Sequence, residues 1–196
     1  MMHTLGGVIP ALITPFDQDE NIDYKRLDKI IDFLLSSGVD GLYIAGSTGE
    51  GFLMTDEERK ELANFVVDKV KKKVPVIVHV GAISTKRSID LAVHAQKIGA
   101  DAISSVPPFY WRFDEEHIVQ YYRDISNACS LPMIVYNVPL VGLMSIALIK
   151  KLANIEGVIG IKYTSEDHFE IRKIKEAIGH DFLVFSGSDE MAVSGR

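Results

Sequence analysis

Cysteine is almost missing from this chain of 196 residues: there is one, Cys129. That excludes an intramolecular disulfide and any metal site built from several thiolates, and Cys129 itself reads as a small buried hydrophobe. The six histidines, His3, His79, His94, His117, His168 and His180, show no H-x-H or H-E-x-x-H spacing, so no metal is expected. No G-x-G-x-x-G follows the first apolar run, and neither a P-loop nor a G-x-S-x-G elbow occurs. Positive charge is in the minority, with 21 Lys and Arg against 27 Asp and Glu and a net charge of -6. Nucleic acid and anionic membranes both favour a basic surface, so neither is expected as a partner. The opening MMHTLGGVIP lacks a basic stretch followed by a long apolar one; no secretory signal is read, and the expected location is cytoplasmic. An unbroken membrane span is also missing. No charge falls between Asp124 and Lys150, but Asn127, Pro132, Asn137, Pro139 and Gly142 divide that stretch into a short strand, a loop and a helix start.

What is abundant is apolar sequence, 47% of the chain, in two alternating patterns. Short runs that fit strands are Val8–Thr14, Gly41–Ala45, Val76–Val80, Ala102–Val106, Met133–Asn137, Val158–Tyr163 and Phe182–Ser186. Several are rich in Val and Ile, as strands covered on both faces should be. Between them apolar residues recur at helical spacing: Leu27, Ile30, Ile31, Leu34 and Leu35; then Leu62, Phe65, Val66 and Val70. Further sets are Ile89, Ala92 and Val93; Ile118, Tyr121, Tyr122 and Ile125; and Ile171, Ile174 and Ile178. Thr55-Asp-Glu-Glu58 is a capping box for the second helix, and Pro75 and Pro132 stand where helices must end before strands.

Repeated βα units imply a parallel sheet with right-handed crossovers. Polar residues gather at the carboxyl ends of several strands, where barrel active sites lie, so the expected fold is α/β, a (β/α)8 TIM barrel, over residues 1–196 as one domain. Seven strands are counted, and a whole barrel needs about 250 residues. The expectation is therefore a barrel incomplete at its carboxyl side, cut after the seventh strand, with unpaired strand edges that make the product marginally stable.

Lys162 is the most informative residue. It follows Val158-Ile159-Gly160-Ile161, a buried strand, where an ammonium is costly to desolvate. Desolvation lowers a lysine's pKa and leaves a neutral amine able to attack a ketone. Taken alone it favours the plainer reading, a strand-end lysine reaching solvent or a carboxylate. Tyr136 closes the preceding strand, where neighbouring strands lie about 4.8 Å apart, so phenol and amine can converge on one small molecule. A core aromatic with a satisfied hydroxyl is the plain alternative. Gly46-Ser47-Thr48-Gly49-Glu50-Gly51 follows the second strand and reads as a cradle for a carboxylate, or as an ordinary turn. His79 ends a strand and reads as a satisfied core histidine.

Gly46-Ser-Thr-Gly-Glu50, Pro107-Pro-Phe-Tyr110, Tyr136-Asn-Val-Pro139 and Gly160-Ile-Lys162, in this order and on these strands, resemble the class I pyruvate-dependent aldolase family. That family contains N-acetylneuraminate lyase and dihydrodipicolinate synthase. The resemblance runs from Val8 to the end of the chain. It implies a barrel lyase that works without a cofactor, through an imine between Lys162 and pyruvate, in a homo-oligomer, usually a tetramer. By the same resemblance Tyr136 acts as acid and base, Ser47 and Thr48 hold the pyruvate carboxylate, and Thr48 also joins the proton relay. Tyr110 matches a tyrosine that reaches a neighbouring subunit's active site; the alternative is an aromatic patch, Phe109-Tyr110-Trp111, packed at the rim.

Substrate choice rests on smaller signals. The synthase branch usually has an arginine after the Tyr-Asn-Val-Pro motif, and Tyr136-Asn-Val-Pro-Leu-Val-Gly142 has none. Lys162-Tyr-Thr-Ser165 and Gly187-Ser-Asp-Glu190 resemble the lyase branch, in which the threonine (Thr164), Gly187 and the acidic pair (Asp189, Glu190) meet the sugar. Carboxylates suit that task because they accept several O–H hydrogen bonds, although acidic residues at a helix start need no such reason. The expected reaction is reversible cleavage of N-acetylneuraminate to N-acetylmannosamine and pyruvate. The alternatives are condensation of pyruvate with aspartate semialdehyde, another 2-keto-3-deoxy acid aldolase, or a truncated, non-catalytic remnant.

Overall fold

A computed structural model describes residues 5–194. In chain order the elements are α1 (Tyr24–Ser36), β1 (Leu42–Ile44), α2 (Asp56–Val70), β2 (Val76–His79), α3 (Thr85–Lys97), β3 (Ala102–Ser105), α4 (Glu115–Ala128), β4 (Met133–Asn137), α5 (Ile146–Ala153), β5 (Val158–Tyr163), α6 (His168–Ile178) and β6 (Leu183–Ser186). Single 3-10 turns cover Pro139–Val141 and Asp189–Met191. No helix among the described residues is long and apolar enough to cross a membrane.

Local chemistry explains where the helices start. Asp23, Thr55, Asp114, Ser145 and Asp167 each turn a side-chain oxygen onto an amide of the first turn, which otherwise lacks a partner. At α2 the expected capping box is complete, because Glu58 also accepts from the Thr55 amide at 2.7 Å. The buried stripes follow the 3.6-residue period: Leu27 and Ile31 in α1; Leu62, Ala63, Val66 and Val70 in α2; Tyr121, Tyr122 and Ile125 in α4. Helix α3 departs from its expected face. Val93 is exposed, and the buried stripe is Ser88, Leu91, Ala92 and Ala95. Ser88 can lie there because its hydroxyl meets that of Tyr121 at 2.7 Å, which satisfies a polar group in the interior.

The chain forms two compact units. One comprises residues up to Val80 with Asp90–Ile103; the other comprises Gly81–Ile89 with residues from Ser104 on. In the first, the strand order is β1-β2-β3, with Leu42, Tyr43 and Ile44 in parallel register with Val76, Ile77 and Val78. In the second, the order is β3-β4-β5-β6, with β4–β5 and β5–β6 parallel. Neighbours in the sheet are thus consecutive in sequence. A doubly wound sheet reverses its order at a switch point, whereas sequential order is that of a (β/α) barrel. Strands β2 and β4 are buried throughout, while all four residues of β6, which ends the order, are half-buried.

Among the described residues six strands form, not seven. Val8–Thr14 runs beside β1 but makes one parallel bridge, Ala11 to Tyr43, in which the Tyr43 amide donates to Pro10 and the Leu12 amide to Tyr43. Extending that ladder backwards needs an N–H at position 10, which proline lacks. Extending it forwards needs extended backbone at Ala45, whose φ is +56°.

Candidate active site

Within the second unit, parallel pairing of β4 and β5 sets Tyr136 opposite Lys162. Both side chains therefore leave the sheet on one face. Lys162 Nζ stands 4.4 Å from the centroid of the Tyr136 ring, which is itself buried. Burial holds the ammonium down, from its ordinary 10.5 to about 8, against the opposing pull of the Asp189 carboxylate.

The segment after β6 closes against this pair. The Gly187 amide donates to Tyr163 at 2.9 Å, and a Cβ built at Gly187 would lie 2.0 Å from Thr164 Oγ1 and 3.2 Å from Lys162 Cε. Only glycine lets the backbone come so near. Thr164 is held by its amide, which donates to Asn137 O at 2.9 Å, while its Oγ1 is buried with no hydrogen-bond partner among the described residues. A buried hydroxyl left this way suits a ligand oxygen. Ser188 Oγ donates to Ser165 O at 3.2 Å and pins the turn that carries Asp189 and Glu190, both exposed. The structure thus brings together Lys162, Tyr136, Thr164 and Gly187, with Asp189 acting through its charge.

Tyr110 lies elsewhere in this unit, on the loop after β3. It is 80% exposed, has φ +84°, and meets Trp111 edge-on at 5.3 Å. An aromatic with positive φ is strained, so the loop holds this ring outward at a conformational cost. The packed-rim alternative does not fit such exposure.

Ser47 and Thr48 belong to the first unit, on the loop after β1. The amides of Gly46, Ser47, Thr48 and Gly49 and the two hydroxyls donate no hydrogen bond among the described residues, while the Glu50 and Gly51 amides close the loop onto Ser47 O and Gly46 O. Such a row of amides and hydroxyls is suited to an anion.

Two further residues are given no role by the sequence, although Asn137 lies within the Tyr136-Asn-Val-Pro139 motif. Arg59 is 3% exposed and donates from Nη2 to His79 O at 2.7 Å; its place on the apolar stripe of α2, four residues before Ala63, is the signal that marks it. Asn137 is fully buried, accepts from the Met144 amide at 2.9 Å, and so ties down the start of the following loop. His79 is a core histidine as expected, with Nδ1 3.2 Å from Ala45 O. Cys129 is half-buried, and burial raises its thiol pKa.

The pKa of Lys162 carries a stability consequence. Below pH 8 the folded state holds an ammonium it solvates poorly; from 8 to 10.5 the folded state loses that proton before the unfolded chain does, so the penalty fades, and above 10.5 it is gone. Lys162→Met is therefore expected to stabilise the fold by up to about 3 kcal/mol at pH 7 and by little near pH 10.5. Urea midpoints at the two pH values measure this, and a pH-independent difference would contradict it.

Sequential strands with a desolvated lysine at the carboxyl end of one of them define an α/β protein of the (β/α)-barrel class. The Dihydrodipicolinate synthetase family model matches residues 4–195, and the chain belongs to that family. N-acetylneuraminate lyase of Citrobacter koseri is 40% identical over the whole chain and 66% of its own length. YagE, a prophage protein of the dihydrodipicolinic acid synthase family from E. coli K12, was solved in complex with pyruvate. It matches with TM-score 0.94 and 33% identity over 97% of this chain and 66% of its own. CdNal from Clostridium difficile, solved with mannosamine, matches with TM-score 0.94 and 35% identity over 98% of this chain and 67% of its own. The chain thus spans just under two thirds of the length of curated relatives such as the Citrobacter koseri lyase.

Proposed function

We propose that this chain carries the imine-forming part of a class I pyruvate aldolase, and that its substrate is N-acetylneuraminate. The observation that supports this best is Lys162, buried enough to hold its pKa near 8 and stacked on Tyr136. The neutral amine adds to the keto carbon, water leaves, and a protonated imine results. That imine accepts the electron pair of the breaking carbon–carbon bond as an enamine. The aldehyde departs as N-acetylmannosamine, protonation of the enamine restores the pyruvate imine, and water releases pyruvate. Tyr136 moves the protons, with Thr48 in the relay. Ser47 and Thr48 take the carboxylate, Thr164, Gly187, Asp189 and Glu190 take the hydroxylated tail, and Tyr110 serves a neighbouring copy. Under the same reading residues 1–196 act as one domain, cytoplasmic, in a homo-oligomer, with no cofactor.

The exposed carboxylates of Asp189 and Glu190, on a turn whose preceding Gly187 leaves no room for a side chain beside Lys162 and Thr164, favour a polyhydroxy tail over aspartate semialdehyde. Incubation with N-acetylneuraminate should release pyruvate, with little condensation of pyruvate and aspartate semialdehyde. Asp189→Asn should raise the KM for the sugar about tenfold, the cost of one charged hydrogen bond, and leave the borohydride-trapped pyruvate adduct intact. A preference for aspartate semialdehyde would move the chain to the synthase branch. A folded chain that neither releases pyruvate nor forms the adduct would be the non-catalytic remnant.

A further inference from the structure

The Gly46–Gly51 loop is held from behind by two buried side chains that no step of the reaction uses. Thr14, 5% exposed, donates from Oγ1 to Gly49 O at 2.8 Å. His79, 1% exposed, sets Nδ1 against Ala45 O at 3.2 Å; a carbonyl only accepts, so Nδ1 carries the proton. The histidine is fixed in turn. Arg59 Nη2 donates to its carbonyl at 2.7 Å, and its ring stands edge-on to Phe52 at 5.4 Å.

The two clamps grip carbonyls on either side of the open amides. Within one peptide unit the C=O and N–H point in opposite directions, so turning Ala45 O onto His79 turns the Gly46 N–H away from it. The backbone needs this grip, because Ala45 and Glu50 both sit at φ +56°, where side-chain-bearing residues are strained. The glycines leave no other packing. A Cβ at Gly46 would lie 2.5 Å from the Tyr43 ring, one at Gly49 2.8 Å from Leu12 O, and one at Gly51 1.9 Å from Ala45 O.

We infer that Thr14 and His79 are positioning residues, which hold the Gly46–Gly49 amides and the Ser47 and Thr48 hydroxyls ready for the carboxylate of a 2-keto acid. The inference rests on the proposed function, since it takes that loop as the carboxylate cradle. Preorganisation of this kind lowers the pyruvate concentration needed for binding and leaves the amine at Lys162 unchanged.

Each clamp has a variant that breaks it and one that keeps it. Thr14→Val replaces the hydroxyl by a methyl of similar shape, whereas Thr14→Ser retains the donor. His79→Gln leaves no N–H at the Nδ1 position, whereas His79→Asn places its amide nitrogen there. The measurement is the borohydride-trapped adduct on Lys162 against pyruvate concentration, with circular dichroism to confirm folding. Thr14→Val and His79→Gln should each raise the half-saturating pyruvate about tenfold without lowering the plateau. Thr14→Ser and His79→Asn should stay within about twofold of the parent. These fold-changes correspond to the loss or retention of one hydrogen bond's alignment.

An unchanged half-saturation in folded Thr14→Val and His79→Gln would overturn the inference and leave the imine chemistry standing. A lowered plateau at unchanged half-saturation would also overturn it, because that is what a merely structural role produces. A parent chain with no adduct on Lys162 would sink the proposed function itself and this inference with it. The clamps come from different segments, so if one breaking variant does not fold, the other still decides.

Discussion

Lys162→Ala is expected to abolish the borohydride-stable pyruvate adduct while the chain stays folded. At pH 7 a lysine with its pKa near 8 is about one-tenth neutral, some 300-fold more than one at 10.5. That difference is the supply of nucleophile. Lys60, Lys69, Lys151 and Lys173 pair with carboxylates, which raise their pKa values instead. Peptide mapping should therefore find one reduced pyruvate, on Lys162. The trapping rate should fall about tenfold for each pH unit below 8 and level off above it. Removing the amine also removes a desolvation penalty, so the variant should not unfold. Labelling of another lysine in the parent, or an undiminished adduct in Lys162→Ala, would defeat the mechanism.

Gly160→Ala is expected to destabilise the fold by about 3 kcal/mol, a large loss for one methyl group. Gly160 pairs with Leu183 across β5 and β6, and a Cβ there would lie 2.5 Å from Leu183 O and 2.7 Å from Leu183 Cβ. Both neighbours sit in a paired strand and cannot swing aside, so β6 must move. The same pairing continues through Lys162 with Phe185 and Tyr163 with Ser186 to Gly187, where an added Cβ would lie 3.2 Å from Lys162 Cε. The adduct yield should therefore drop along with the urea midpoint. Gly142→Ala is the control. Its φ of +90° imposes strain, but nothing lies within 4 Å of the added Cβ, so the cost should be about 1 kcal/mol and the adduct unaffected. Equal losses at the two sites would show that β5 and β6 are not packed this closely.

Several of these features were legible in the linear chain. The alternation of short Val- and Ile-rich runs with amphipathic segments placed five of the six helices and all six strands among the described residues, because burial on two faces and burial on one stripe leave different periodicities; α5 was marked only by a helix start after Gly142. Capping at Thr55 was readable because its two hydrogen bonds span three residues. Lys162 stood out as an isolated charge closing an apolar run, and Tyr136 as its counterpart on the strand before. These are local patterns, and local patterns survive in sequence.

What only the tertiary structure decided depends on residues far apart in the chain. Val8–Thr14 has the composition of a strand, yet one missing N–H at Pro10 and the turn of Ala45 leave it a single bridge. Ser88 displaced Val93 from the buried face of α3 because a hydroxyl partner, Tyr121, arrives from another helix. Clamps such as Thr14 on Gly49 and Arg59 on His79 join positions 35 and 20 residues apart, with no spacing rule to announce them. The acidity of Lys162 is of the same kind. The sequence by itself determined that a lysine would end a buried strand; how far its ammonium is desolvated was decided by what packs around it, β4 and the backbone at Gly187 included, against the opposing charge at Asp189, because solvation is a property of everything packed around a group and not of its neighbours in the chain.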